Sequence, residues 1–308
     1  EILPAGREEE PRADRPEGLP AAGAGWARRL TYPLRYAVAV VRGLLAEPLR
    51  DRVFRNYVGY GATITFVTSV TGWYFWLFGM EALGFSKLGV NFLFMVVSPL
   101  SGIVAVRMWG RLMDRWGRRP VLVLATTGTV FSVLPWFFAT AQTPAPGFLV
   151  DALNAVAGAA AAVVGRSGWV WLGPKAPVGA YLLGLIAAAT GGVCWTGVAL
   201  AQTGVLLGFS DGPGRSKYIA ASAALISLGG ALGGIVGGTV TAGLEFLQRD
   251  PIVVGPFVWN NWHAAFALSL VGRLLSLLWL VRMPDPGATR VRELVRMMGT
   301  NVYNVLMP

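Results

Sequence analysis

The sequence predicts an all-α integral membrane protein with six transmembrane helices. Three observations predict this. The chain is 54% hydrophobic and only 14% charged, where a soluble domain carries about 25% charged residues. Its charges avoid long stretches: residues 56–106 hold only Glu81 and Lys87, and residues 176–210 and 218–244 hold none. Such stretches reach the about 20 apolar residues a helix needs to cross the hydrocarbon core. Lipid offers the backbone no hydrogen-bond partner, which favours helices, and the ten-residue alternation of an outer-membrane barrel is absent.

Residues 1–27, rich in Glu, Arg, Pro, Ala and Gly, cannot bury a core and read as a disordered cytoplasmic segment. Residues 28–55 interleave Arg28, Arg29, Arg35, Arg42, Arg50, Arg52 and Arg55 with apolar residues. This pattern predicts a basic amphipathic helix on the inner membrane face, broken by Pro48. The six-span domain, 56–282, follows. Its spans are expected at about 56–80, 88–109, 120–141, 177–208, 218–244 and 262–281, and 283–308 form a cytoplasmic tail. The Ala-rich stretch FLVDALNAVAGAAAAVVG, 148–165, contains Asp151 and Asn154. It reads as a short interfacial helix in an extracytoplasmic insertion at about 143–176; the alternative is a seventh span.

Basic residues concentrate on the cytoplasmic side of a membrane protein. With six spans and both termini inside, only Lys87, Arg166, Lys175 and Arg249 fall outside, Arg273 lies within a span, and the other 21 Lys and Arg are inside. A seventh span leaves 18 inside against 7 outside. Six spans in an inner or plasma membrane fit better. The net charge of +10 therefore reports topology; no basic soluble domain or nucleic-acid motif accompanies it. The single cysteine, Cys194, lies in an apolar span and cannot pair within the chain. No signal peptide is legible in the polar first 25 residues. The chain starts at Glu1 rather than Met, as expected of a fragment or processed segment. One His and one Cys cannot build a zinc site, and no P-loop is present, so neither cofactor nor metal is expected.

Between the second and third spans the chain reads Gly110-Arg111-Leu112-Met113-Asp114-Arg115-Trp116-Gly117-Arg118-Arg119-Pro120. Gly110 permits close helix packing and Gly117 a turn with positive φ. The arginines hold the loop inside. Asp114 can pair with them or with a helix N-terminus. The plain alternative is a basic loop obeying the charge rule. This stretch resembles the signature loop G-x-L-x-D-R-x-G-R-R of the major facilitator superfamily at Gly110, Asp114, Arg115, Gly117, Arg118 and Arg119. The superfamily carries the loop after its second and eighth spans. A long basic segment before the first span, and six spans plus a tail to the end, match the second copy. Leu49–Tyr57, the stretch from Trp195 to Asp211, and Arg273 to Arg282 look like such a second half; the insertion at 143–176 departs from it. The resemblance implies a bundle of two inverted three-helix repeats, a secondary transporter of a small solute working by alternating access, and a partner, an N-terminal six-helix half, missing from this chain. It also implies a conformational-switch role for the loop.

Other residues are weaker candidates. Gly229, Gly230, Gly233, Gly234, Gly237 and Gly238 form two interleaved G-x-x-x-G rows suited to close helix approach. Trp73, Tyr74 and Trp76 suit interfacial anchoring or an amphipathic cavity. Asn91, Thr196, Gln202 and Ser227 are polar groups in spans; Asn91 and Gln202 are candidate cavity-lining residues. Arg273 is the only full charge well inside a span and must face protein or water, so it too is a cavity candidate. Glu81 and Glu245 sit near outer ends. Membrane lipids and an unidentified small-molecule substrate are the remaining expected partners. Two rival functions remain: a non-transporting membrane scaffold, and a rhomboid-like intramembrane protease using Ser167 of Gly165-Arg166-Ser167-Gly168 with His263. Arg166 beside Ser167, and the Ala264-Ala265-Phe266 after His263, argue against the protease, so no enzyme activity is expected.

Overall fold

The computed structural model describes residue 43 and residues 45–163, 165, 177–209, 215–255 and 257–283. The expected disordered segment 1–27, most of the amphipathic segment 28–55, Ser167 and the tail from 284 lie outside these residues. The chain divides into two units, Glu1–Glu47 and Pro48–Pro308. In the first, the described residues are helical at Gly43, Leu45 and Ala46. The second is a bundle of helices.

After a 3-10 turn at Pro48–Arg50 comes α1, Arg52–Thr71, capped by the Asp51 carboxylate, which accepts from the Val53 N–H at 2.7 Å. A short α2, Tyr74–Glu81, follows. The next helical stretch runs from α3, Lys87–Asn91, through a π-helical turn, Phe92–Val97, into α4, Ser98–Trp116. Then come α5, Arg118–Phe138; α6, Gly147–Val163; α7, Val178–Gly208; and α8, Arg215–Gly243. A short α9, Phe246–Arg249, and a β-hairpin of β1, Ile252–Val254, and β2, Phe257–Trp259, lead to α10, Asn261–Val281. Among the described residues five stretches are long and apolar enough to cross a membrane: Lys87–Trp116, Arg118–Phe138, Val178–Gly208, Ser216–Gly243 and Asn261–Val281. The chain is therefore an all-α multi-pass membrane protein.

Two expectations need correction. The first expected span, 56–80, is two helices that part at Gly72 and Trp73. Thr68 and Thr71 donate their hydroxyls to the carbonyls of Ile64 and Thr68; such back-bonding beside a glycine weakens a helix locally. The expected loop from Gly110 to Pro120 is almost wholly helical, and Gly117 alone, at φ +90°, joins α4 to α5. Leu112 and Trp116, buried with Trp109 on one face of α4, extend that helix to the turn. The short helix expected in the insertion is present as α6, 17 residues long against the about 20 of a typical span, and Phe148, Asp151, Val156 and Val163 on it are exposed.

The helices pack in a definite pattern. The extensive pairings between expected spans are α5 with α7, α1 with α8, α4 with α7, α1 with α10 and α5 with α10, with lesser contacts of α8 with α10 and α4 with α5. The α1–α8 pairing is parallel and made by glycine. A Cβ at Gly229 would lie 2.6 Å from the Ala62 carbonyl oxygen, and one at Gly233 or Gly237 would strike the carbonyl of Phe66 or Val70. The second row divides: Gly230 faces Thr65 and Ser69, Gly238 approaches Tyr74, and Gly234 faces open space. On the opposite flank Gly192 of α7 abuts the Ser98 carbonyl, and Gly102 of α4 abuts Thr196. Aromatic rings fill one end of the core. Phe94 stacks on both Trp76 and Trp136, at 5.4 and 5.9 Å, and Phe75 stacks on Phe266 at 4.6 Å.

Candidate functional site

The α4–α5 turn separates its residues into two groups. Gly117 takes a left-handed conformation closed to most side chains, and its N–H donates to the Met113 carbonyl at 3.0 Å. The two arginines after it lie against helix ends, Arg118 exposed and Arg119 half-buried. Arg118 lies along the last turns of α7: a Cβ at Gly204 would be 3.5 Å from its side chain, and one at Gly208 2.9 Å from Nη1. Arg119 donates from Nη2 to the Val281 carbonyl at 2.9 Å. Both cations thus sit at helix C-termini, where the dipole favours positive charge. Asn56 of α1 completes the second cap, donating to the Arg282 carbonyl at 2.9 Å.

Asp114, Arg115 and Arg111 are exposed, and none makes a hydrogen bond or ion pair with a described residue. Gly110 packs against nothing: a Cβ there would meet no atom within 4 Å. Its expected role in close helix packing is therefore not fulfilled within this chain. The turn binds this bundle through Arg118 and Arg119 and presents Asp114 outward.

A second polar cluster lies halfway along the helices. Arg273, 2% exposed, sits two residues past the middle of α10, roughly 3 Å along its axis. Its Nη1 donates to the Thr129 carbonyl at 2.6 Å and to Ser132 Oγ at 3.4 Å, and its Nε donates to Ser269 Oγ at 3.3 Å. Its Cζ stands 5.4 Å from the Trp195 ring centroid on α7, within cation–π range. No carboxylate pairs with it among the described residues. Arg273 therefore ties α10 to α5 and α7 inside the bundle, and its placement as a cavity-lining residue is corrected. Ser269, Arg273 and Ser276 follow helical spacing, a signal present in the sequence. Trp195, Thr129 and Ser132 carried no signal and were missed.

The remaining candidates are dispersed. Trp73 is 77% exposed at the α1–α2 break. Trp76 belongs to the aromatic stack. Asn91 is exposed at the end of α3, and Gln202 is half-buried on α7. The structure gathers none of these into one cavity. His263, at the third position of α10, accepts at Nδ1 from the Asn260 N–H at 3.1 Å, completing a capping box. Its Nε2 finds no hydrogen-bond partner and is enclosed by Phe78, Phe137 and Phe266.

The fold and these clusters define a helical multi-pass membrane protein. Comparison with protein-family models, with curated proteins and with solved structures finds no match.

Proposed function

We propose that the chain is the second half of a secondary transporter of the major facilitator type, moving a small solute by alternating access. In this reading it crosses the membrane six times, the broken α1–α2 segment forming the first span, with both termini cytoplasmic. One observation carries the reading: the helix pairing is unchanged when spans one, two and three are exchanged with four, five and six. The α1–α8 pairing becomes α7–α4, α5–α7 becomes α10–α1, α4–α5 becomes α8–α10, and α5–α10 maps onto itself. Two inverted three-helix repeats require this.

Two further facts support it. The second and fifth spans, which exchange under the same operation, are the least covered: 22% of each apolar window is buried, against 39% to 50% in the other three long helices. They have a face left for another bundle. Asp114 and Arg115 of the signature motif are likewise exposed and unpaired within the bundle, as a latch to an absent half needs. The protease reading gains no support from His263, whose Nδ1 is engaged in a helix cap.

The test joins the chain to the product of its upstream coding sequence in proteoliposomes. The reading requires six further spans upstream and saturable flux of some member of a panel of sugars, amino acids, organic anions and organic cations. Fewer upstream spans, or a folded joined protein that moves none of them, favours the scaffold reading instead.

A further inference from the structure

We propose that the groove between α1, α8 and α10 binds one anionic phospholipid, its phosphate on Arg55 and one acyl chain along the groove. The inference rests on the six-span placement proposed above, with α1 in the first span, and not on transport activity.

The groove holds about 330 Å³. Gly59 and Ala62 form its floor on α1, and Gly229 adjoins them on α8. Leu225, Leu228 and Leu232 of α8 and Val58 of α1 supply aliphatic walls. The Trp279 ring lies directly on Gly59, where a Cβ would come within 2.7 Å, and its indole N–H donates to Thr63 Oγ1 at 3.1 Å. That bond fixes the aromatic wall. The surface is suited to methylene groups and offers a polar ligand almost nothing along its length.

Among the described residues, Arg55 is the one charged lining residue, in the first turn of α1, and none of them brings a carboxylate to the groove. Arg55 is exposed, and its only bond to a described residue is from Nη1 to the Leu49 carbonyl at 3.5 Å. Its other donors are free for a phosphate, which a guanidinium binds well. Arg52 lies three residues earlier, hence on the same side of the helix.

Length selects the occupant. Gly229 is level with Ala62 and Gly233 with Phe66, so Leu232 is level with Thr65, ten residues beyond Arg55. At 1.5 Å per residue the groove runs roughly 15 Å inward from the guanidinium. That is about half of a hydrocarbon core about 30 Å thick, or one leaflet. A cation at the interface above an apolar channel one leaflet long matches an anionic lipid and not a free anion.

The test titrates the purified full chain in detergent with palmitoyl-oleoyl phosphatidylglycerol, with the matching phosphatidylcholine, and with glycerol 1-phosphate, counting retained molecules by native mass spectrometry. One saturable phosphatidylglycerol is expected. Arg55→Gln should weaken it about fivefold, the factor contributed by one basic side chain at an anionic surface, and leave phosphatidylcholine unchanged. Leu228→Trp, which fills the groove from an exposed position, should weaken both lipids. If the bulky variant misfolds, Arg55→Gln remains decisive. The proposal is overturned if Arg55→Gln leaves phosphatidylglycerol retention unaltered. It is also overturned if glycerol 1-phosphate competes as well as the lipid, or if the groove variants change the oligomeric mass in place of lipid retention.

Discussion

Arg119 holds the carbonyl of Val281 across 2.9 Å, so the turn between α4 and α5 closes the end of α10. The two neighbouring motif residues with opposite charge, Arg119 and Asp114, therefore have separable roles: one inside the bundle, one outside it.

Arg119→Ala should destabilise the isolated chain by about 1.5–3 kcal/mol, the range for losing a hydrogen bond from a charged donor. Asp114→Asn should change stability by less than about 0.5 kcal/mol, as expected for a surface position. Unfolding midpoints of the two variants in detergent decide this; equal losses would remove the distinction.

In the joined protein Asp114→Asn should slow flux sharply while keeping solute affinity within about tenfold, because a latch acts through the difference between two states. Flux and equilibrium binding measured on the same preparation test this. Lost binding in a folded protein, or flux left untouched, would end the latch role.

Arg273 carries a buried charge with no carboxylate beside it among the described residues. Arg273→Met removes that charge and leaves the Thr129 carbonyl its Ser132 hydroxyl donor at 2.7 Å, so stability should stay level or rise, as when buried ions are replaced by apolar groups. Arg273→Lys keeps the charge, loses the planar fork and the stacking on Trp195, and should cost about 2 kcal/mol. The order of the two melting midpoints is the readout. If the methionine variant is the less stable, the guanidinium is a net structural asset and this account is wrong.

The two glycine rows give an internal control. Gly233→Ala drives a methyl into the Phe66 carbonyl and should cost about 1–3 kcal/mol. Gly234→Ala meets open space and should be neutral or gain up to about 1 kcal/mol of helix propensity. Thermal unfolding of both in one detergent checks the contrast.

Topology has a direct test. With Cys194→Ala as background, a cysteine replacing Arg115 should react with impermeant reagent only from the cytoplasmic side. Labelling from outside would invert the charge-based orientation.

The long helices were legible because charge exclusion from apolar stretches is a property of composition. Four of the expected spans agree with the helices to within a few residues. The α1–α2 break was hidden because it depends on Thr hydroxyls turning back onto their own helix, which leaves no mark in hydropathy. The α4–α5 turn looked like a loop because its residues are charged, yet Leu112 and Trp116 keep the helical stripe to its end. The hairpin was readable in retrospect: Ile252-Val253-Val254 and Phe257-Val258-Trp259 flank Gly255 at φ +61°, although three residues are too few to register as period-two alternation. The caps from Arg119 and Asn56, like the bond from Arg273 to the Thr129 carbonyl, join residues more than 140 positions apart. Such contacts require the fold itself.

The parallel register of α1 on α8 has a consequence for synthesis. Ala62 meets Gly229, so α1 leaves the ribosome 167 residues before the helix that covers its carbonyl face. At about 5–20 residues per second that delay is roughly ten to thirty seconds. Throughout it, the α8-facing side of a helix that carries Arg52, Arg55 and several threonines, and that is absent from the five long apolar stretches, is covered by the insertion machinery or by lipid. Biogenesis of this chain is thus expected to stall most readily when translation slows between α1 and α8.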